Sequence, residues 1–304
     1  MGSKNSGRSK DNAHEILDWL QLFRSEHVGP ITFKHLLGLY GSAGRALEAL
    51  PQMARQGGRK RPLKIASRAR IRAELEALKA LGGVMITMRD SRFPRQLLAI
   101  EDCPPILSLL GHPHLLERPM IAMVGARNAS INGKNLAKRL AEDFARAGFV
   151  VVSGMARGID GASHHGALAG GTVAVLAGGV DSIYPPEHEA LYQQLVAQGL
   201  IVSEMPIGAM PKAHHFPRRN RIISGLASGL VVVEANLRSG SLIKARLAAD
   251  QGREVFAVPG PPYDARARGC NALLREGAIL LESADDAIPA LRRIVEKLDE
   301  YHPV

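Results

Sequence analysis

The stretch MIAMVGARNASINGKNLAKRLAEDFARAGFVVVSGMARGID, residues 120–160, holds two short apolar runs, Met120 to Val124 and Val150 to Ser153. A helix-length segment separates them, and each run ends in a glycine-containing loop. The alternation continues outward to the C-terminal side, where Val173 to Ala177, Ile201 to Ser203, Leu230 to Glu234, Glu254 to Val258 and Ala278 to Leu281 are further predicted strands. Near-continuous apolar strands alternating with helices describe parallel strands buried on both faces.

The fold class is therefore α/β, a Rossmann-like, doubly wound, mostly parallel sheet. Upstream, residues 13–25 and 31–50 carry apolar residues at helical spacing, broken at Val28-Gly29-Pro30 and at Gly41-Ser42-Ala43-Gly44. They predict a small N-terminal all-helical domain. A basic connection, residues 55–64, follows it, then a helix carrying Leu75, Leu78 and Leu81, and a strand at Val84 to Thr87. The expected division is a helical module with its linker over residues 1–72 and the α/β core over residues 73–304.

The 304 residues are 46% apolar and carry a formal charge of +10. That charge is uneven: residues 1–72 hold 14 Lys/Arg against 5 Asp/Glu, and residues 73–304 hold 25 against 24. A basic module favours a polyanionic partner or serves solubility alone. Only 13 residues are aromatic, poor material for the stacking platforms of OB folds and RRMs. No run approaches a membrane span, and the start lacks the apolar core of a signal peptide, so a cytoplasmic protein is expected. Cys103 and Cys270 lie far apart without a C-x-x-C, as ordinary small apolar side chains do.

Ligands of doubly wound sheets sit beyond the carboxyl ends of the strands. The loops there read Gly125-Ala126-Arg127-Asn128-Ala129-Ser130, then Gly154 to Asp160 with Met155, Arg157 and Gly158, and Ala235 to Ser241 with Arg238, Ser239 and Gly240; shorter loops follow the other strands. Glycine admits close backbone approach to an oxyanion, and amides at a following helix start point toward it. Arg127, Arg157 and Arg238 occupy equivalent places, so one ligand with several phosphates fits. Residues 212–221, KAHHFPRRNR, add Lys212, Arg218, Arg219 and Arg221. Phe216 is either a stacking surface or a core residue, and Arg218 and Arg221 are either ligands or a solvated helix face.

Other chemistries fit less well. The first loop reads G-A-R-N-A-S in place of G-x-G-x-x-G, with Arg127 where a pyrophosphate needs glycine, and none of the glycine-rich loops is a Walker A motif. No cofactor is expected. The pairs His164-His165 and His214-His215 diverge by about 100° on a helix and lack an H-x-x-x-H companion, which argues against a metal. Asp160, Asp181 and Glu234 end or follow strands without a nucleophile signature, so capping helices or orienting arginines is their expected role, with no catalytic residue.

The runs at 121–133, 151–168, 175–188, 203–206, 216–226, 231–260 and 269–278, in order, resemble the DprA/Smf family of bacterial DNA-processing proteins over about residues 84–290. Residues 28–50 are similar to the helix-hairpin-helix or SAM-like domain that precedes that family's core. The resemblance implies a single-stranded DNA binding protein, homodimeric, that loads RecA recombinase onto incoming DNA in natural transformation, and not an enzyme. It implies phosphate contacts from Gly125, Ala126 and Arg127, and from Ser153, Gly154, Met155, Arg157 and Gly158, and the first loop adds Ser130 as a candidate contact. From the later motifs it implies Phe216, Arg219, Asn220 and Arg221, then Ser239, Gly240 and Ser241; Lys212, Arg238 and Lys244 join these as candidate phosphate contacts. Ala126 stands where the family usually has serine. Lys244 stands where threonine is common, either as a further phosphate contact or as part of its helix region. The alternative is a nucleotide phosphoribohydrolase of the LOG/lysine-decarboxylase-like type, whose P-G-G-x-G-T motif is missing here. A third reading is a structural hub whose basic N-terminus docks acidic partners.

Overall fold

The protein is described from a computed structural model covering residues 4–56 and 61–301. Part of the expected basic connection, residues 57–60, lies outside the described residues, as do residues 1–3 and 302–304. The chain divides into two compact units, residues 1–91 with 101–107, and residues 92–100 with 108–304.

The first unit holds α1 (Lys4–Phe23), α2 (Pro30–Tyr40), α3 (Ala43–Gln56), α4 (Arg68–Ala80) and β1 (Val84–Thr87). Pro30 begins α2 where a missing N–H costs nothing, and Gly41 ends it in a left-handed conformation with φ 73°. Ser67 caps α4 by accepting the Arg70 N–H. Trp19, Phe33, Leu36, Ile71 and Leu78 close a small core. The buried pair Arg24–Glu74, 2.8 Å apart, ties the end of α1 to α4.

The second unit builds the sheet from β2 (Ile106–Gly111), β3 (Met120–Val124), β4 (Val150–Ser153), β5 (Thr172–Val175), β6 (Leu200–Ser203), β7 (Gly229–Val232), β8 (Glu254–Ala257) and β9 (Ile279–Leu280). Its helices are α5 (Arg95–Leu98), α6 (Ile131–Arg146), α7 (Ile159–Ala167), α8 (Glu189–Gln198), α9 (His215–Leu226), α10 (Gly240–Asp250), α11 (Arg268–Arg275) and α12 (Ile288–Tyr301). The strand order is β2-β6-β5-β4-β3-β7-β8-β9. Every pairing from β6 to β9 is parallel, as expected for strands buried on both faces.

The predicted strands appear, shortened where ladders end. Leu176 and Val233 still donate their N–H groups to Val202 and Val124 beyond β5 and β7. β2 is not among the predicted strands. Its apolar run pairs antiparallel with β6, Ser108 opposite Ser203, through a partner about ninety residues away that no local pattern announces.

Successive connections run one way from β3 to β6 and the other way from β3 through β7 to β9. The strand order therefore reverses between β3 and β7, where doubly wound sheets leave a crevice for ligands. Below it, α6 packs on α7 around Phe144, Phe149, Val151 and Ile159. Among the described residues no helix is long and apolar enough to cross a membrane.

Candidate functional site

Loop geometry shapes the crevice. Gly125 lies against Ile159, where an added Cβ would stand 2.4 Å from the Ile159 side chain. Gly158 takes φ 76°, and a Cβ there would stand 2.2 Å from the Ala126 carbonyl oxygen. The Ile159 N–H donates to that same carbonyl, at 3.2 Å, so the loops after β3 and β4 form one surface. Met155, buried with φ 54°, lies in the turn that leaves β4.

A groove of about 1080 Å³ opens beyond β3 and β7. Gly125, Ala126 and Arg127 form one wall and Arg238 through Ser241 another. Phe216, Arg219 and Asn220 of α9, Lys244 of α10, and the ion-paired Asp264 and Arg266 also line it. A second cavity of about 300 Å³ adjoins it, lined by Gly154, Arg157 and Tyr184 and sharing Arg127, Phe216 and Arg219. The Arg127 guanidinium stands 5.3 Å from the centre of the half-buried Phe216 ring, within cation–π range. Tyr184 meets the same ring at 5.7 Å.

The groove floor is electrostatically lopsided. Asp160, Arg219 and Lys244 are all buried there, at 1%, 4% and 8% exposure. The Asp160 carboxylate accepts the Gly154 N–H at 3.2 Å and lies 3.8 Å from the Lys244 ammonium. Arg219 donates to the Gly154 and Val175 carbonyls, both at 2.6 Å. Burial pulls Arg219 down to about 10 and lowers Lys244, with Asp160 opposing both shifts. Two buried cations thus share one carboxylate, and Arg127 adds its charge at the mouth. Buried charge of one sign in excess is costly unless a ligand completes it.

Several expected contacts stand elsewhere. The Arg221 guanidinium is buried in an ion pair with Glu204 at the end of β6 and does not line the groove. The reason is helical geometry: residues two apart on α9 diverge by about 200°, so Arg219 and Arg221 face opposite ways. Exposed Arg157 pairs with Glu187 at the rim of the smaller cavity. Exposed Lys212 lies just before α9, its N–H donating to His215 Nδ1 at 3.2 Å.

Ser130 and Ser153 hold the backbone in shape. Ser130 caps α6 and donates through both Oγ and N–H to Glu234, at 2.6 and 2.9 Å. Ser153 Oγ donates to the Met123 carbonyl at 2.6 Å. Ser241 likewise donates to Gly125 O at 2.8 Å, joining the loops on the two sides of the crevice.

Asp181 and His164 are held by hydrogen bonds within the fold. Both Asp181 oxygens accept the Gly208 N–H, at 3.0 and 2.9 Å. His164 is fully buried with Nδ1 bonded to Thr172 Oγ1 at 2.7 Å. Because the Thr172 hydroxyl donates onward to Val151 O, its oxygen accepts from His164. Burial holds this ring neutral, pulled down to about 3. Its neighbour His165 faces outward. Among the described residues no three His, Cys, Asp or Glu side chains are grouped to hold a metal. Sequence reasoning assigned nothing to Glu204 or Tyr184. Glu204's signal was its place directly after a buried strand, one crossing from a basic helix.

Comparison with known proteins agrees with this geometry. The family DNA recombination-mediator protein A matches residues 84–292, and a DprA-like N-terminal HHH domain matches residues 13–77. Protein Smf of Escherichia coli is 45% identical over 207 residues, 67% of this chain and 55% of that protein; the chain thus spans about half of that relative's length. The structure of DNA processing protein A from Streptococcus pneumoniae superposes with a TM-score of 0.71 at 32% identity, covering 94% of each chain. A structure describing the single-stranded DNA binding mode of DNA processing protein A from Helicobacter pylori superposes with a TM-score of 0.62 at 30% identity, over 69% of this chain and 96% of that one. With two thirds of its length matched and the crevice in place, the chain belongs to the DNA recombination-mediator protein A family.

Proposed function

We propose that this chain binds single-stranded DNA along the groove between β3 and β7 and presents it to RecA recombinase during natural transformation or homologous recombination. The observation that carries the reading is the groove floor, where Arg219 and Lys244 are buried over the single carboxylate of Asp160. A phosphodiester supplies the missing negative charge, and the loop amides and Arg127 flank it. The Helicobacter pylori relative, whose structure concerns single-stranded DNA binding, supports the ligand class.

In this reading the protein is a cytoplasmic homodimer acting as a binding protein, without catalysis. Residues 73–304 form the strand-binding domain and residues 1–72 a basic accessory module. The phosphoribohydrolase alternative gains nothing from the site, because both Glu234 oxygens are engaged by Ser130.

Fluorescence anisotropy with labelled oligothymidylate tests the binding. Log affinity should fall against log salt with a slope of about −0.7 per neutralised phosphate. A salt-independent or absent signal refutes it, and release of free base from nucleotides points to the enzyme instead. Filament formation by RecA on protein-coated strands, with and without this chain, tests the loading step.

A further inference from the structure

Across the turn at residues 156–158 from the groove, α6 and α7 enclose a separate cleft. Their contact is close: a Cβ on Gly166 would stand 2.1 Å from the Lys138 carbonyl oxygen. The cleft, about 340 Å³, is lined by Lys134, Asn135 and Lys138 of α6, by His165 of α7 and by His188. Gly158 and Gly161 form its base. A Cβ on Gly161 would stand 2.9 Å from the His188 ring, so glycine leaves that ring its place.

No acid lines the cleft. Carboxylates of the flanking segments have partners outside the cleft: Glu187 pairs with Arg157, Asp160 with Lys244, and Glu142 with Arg146 on the next turn of α6, where Lys138 adds a weaker attraction. Among the described residues the side chains of Lys134, Asn135, Lys138 and His165 have no hydrogen bond or ion pair. His188 bonds Met155 O through Nδ1 at 3.1 Å. Lys134 and Lys138, one helical turn apart, repel each other until an anion lies between them. Ala156 lines the groove and Gly158 lines the cleft. Two peptide units separate them, at most about 7.6 Å, so one strand reaches both.

We propose that this cleft is a second phosphate seat, in which the strand that fills the groove passes over the Gly158 turn and lays its next phosphodiesters between the two lysines and the two histidines. The proposal rests on the strand-binding reading of the groove. Burial, His188 and Lys138 together lower His165; a bound phosphate opposes them. Strand binding then takes up protons, and affinity for long strands rises as pH falls through the histidine range.

The test uses the full chain with oligothymidylates of about 6 and about 20 nucleotides. Lys134→Ala with Lys138→Ala leaves the short strand unaffected. It weakens the long one about tenfold and reduces its salt slope by about 1.4, at about 0.7 per lost contact. His165→Gln flattens the pH dependence of the long strand alone. Unchanged long-strand affinity and slope in the double variant overturn the proposal. So does a His165 ring resonance that moves with inorganic phosphate and not with the strand, which marks a small-anion site. Failure of the native chain to bind even the short strand overturns the groove reading itself, and this proposal with it.

Discussion

Replacing Lys244 by methionine separates a ligand-binding role for the groove floor from a structural one. With Lys244 gone, the Asp160 carboxylate keeps the Gly154 N–H and the nearby charge of Arg219, and methionine fills most of the volume of the lost side chain. Removing one ion of a buried pair is costly when it leaves the other charge uncompensated; here the charge of Arg219 still offsets that of Asp160. The midpoint of denaturant unfolding should therefore stay level or rise, within about 1 kcal/mol. Strand affinity should drop, because a charge-assisted contact is worth about 1.5–3 kcal/mol, or about ten- to a hundredfold, and the salt slope should shrink by about 0.7.

The pH dependence carries a second signature of the same group. Burial lowers Lys244 in the folded state, so above its folded value the unfolded chain holds the extra proton. Stability then rises with pH through that window, up to the ordinary lysine range, while strand affinity falls as the ammonium is lost. The variant should lack both trends. Anisotropy and urea unfolding, run on native and variant protein, read the two quantities separately. A methionine variant that loses stability but keeps its affinity would refute the reasoning, since Lys244 would then be only the partner of Asp160.

Arg127→Ala should weaken strand binding about tenfold and reduce the salt slope by about 0.7 without moving the unfolding midpoint, because its side chain is exposed. Arg221→Met should do the reverse: it takes the buried Arg221 partner from the Glu204 carboxylate, for a loss of about 3–5 kcal/mol in urea unfolding with affinity retained. Gly158→Ala should cost about 1–3 kcal/mol, since the residue is left-handed and its new Cβ meets Ala126 O. Circular dichroism melts check it.

The parallel strands and the loops after them were legible because both signals are local: a few apolar residues, then glycine. β2 escaped because an antiparallel strand is defined by its distant partner, Ser203 opposite Ser108. Within the site, Arg127, Phe216, Arg238 and Lys244 stand in the groove. Arg221 does not, and the spacing of Arg219 and Arg221 already forbids both from facing one ligand. What no spacing discloses is the charge balance of the floor. Asp160, Arg219 and Lys244 meet only through three helices, α7, α9 and α10, whose packing sets which cations share which acid.

With a strand bound there, that meeting point would also bear on how long the protein lasts. The Gly154 peptide, Asp160, Arg219 and Lys244 come from segments spread over some ninety residues, so the floor exists only while most of the second unit is folded. A strand at a hundred times its dissociation constant would add about 2.7 kcal/mol to that folded state. Protease attack through the unfolded chain would slow about a hundredfold in proportion. The protein's turnover in the cell would then follow the supply of single strands, with idle copies cleared and occupied ones spared.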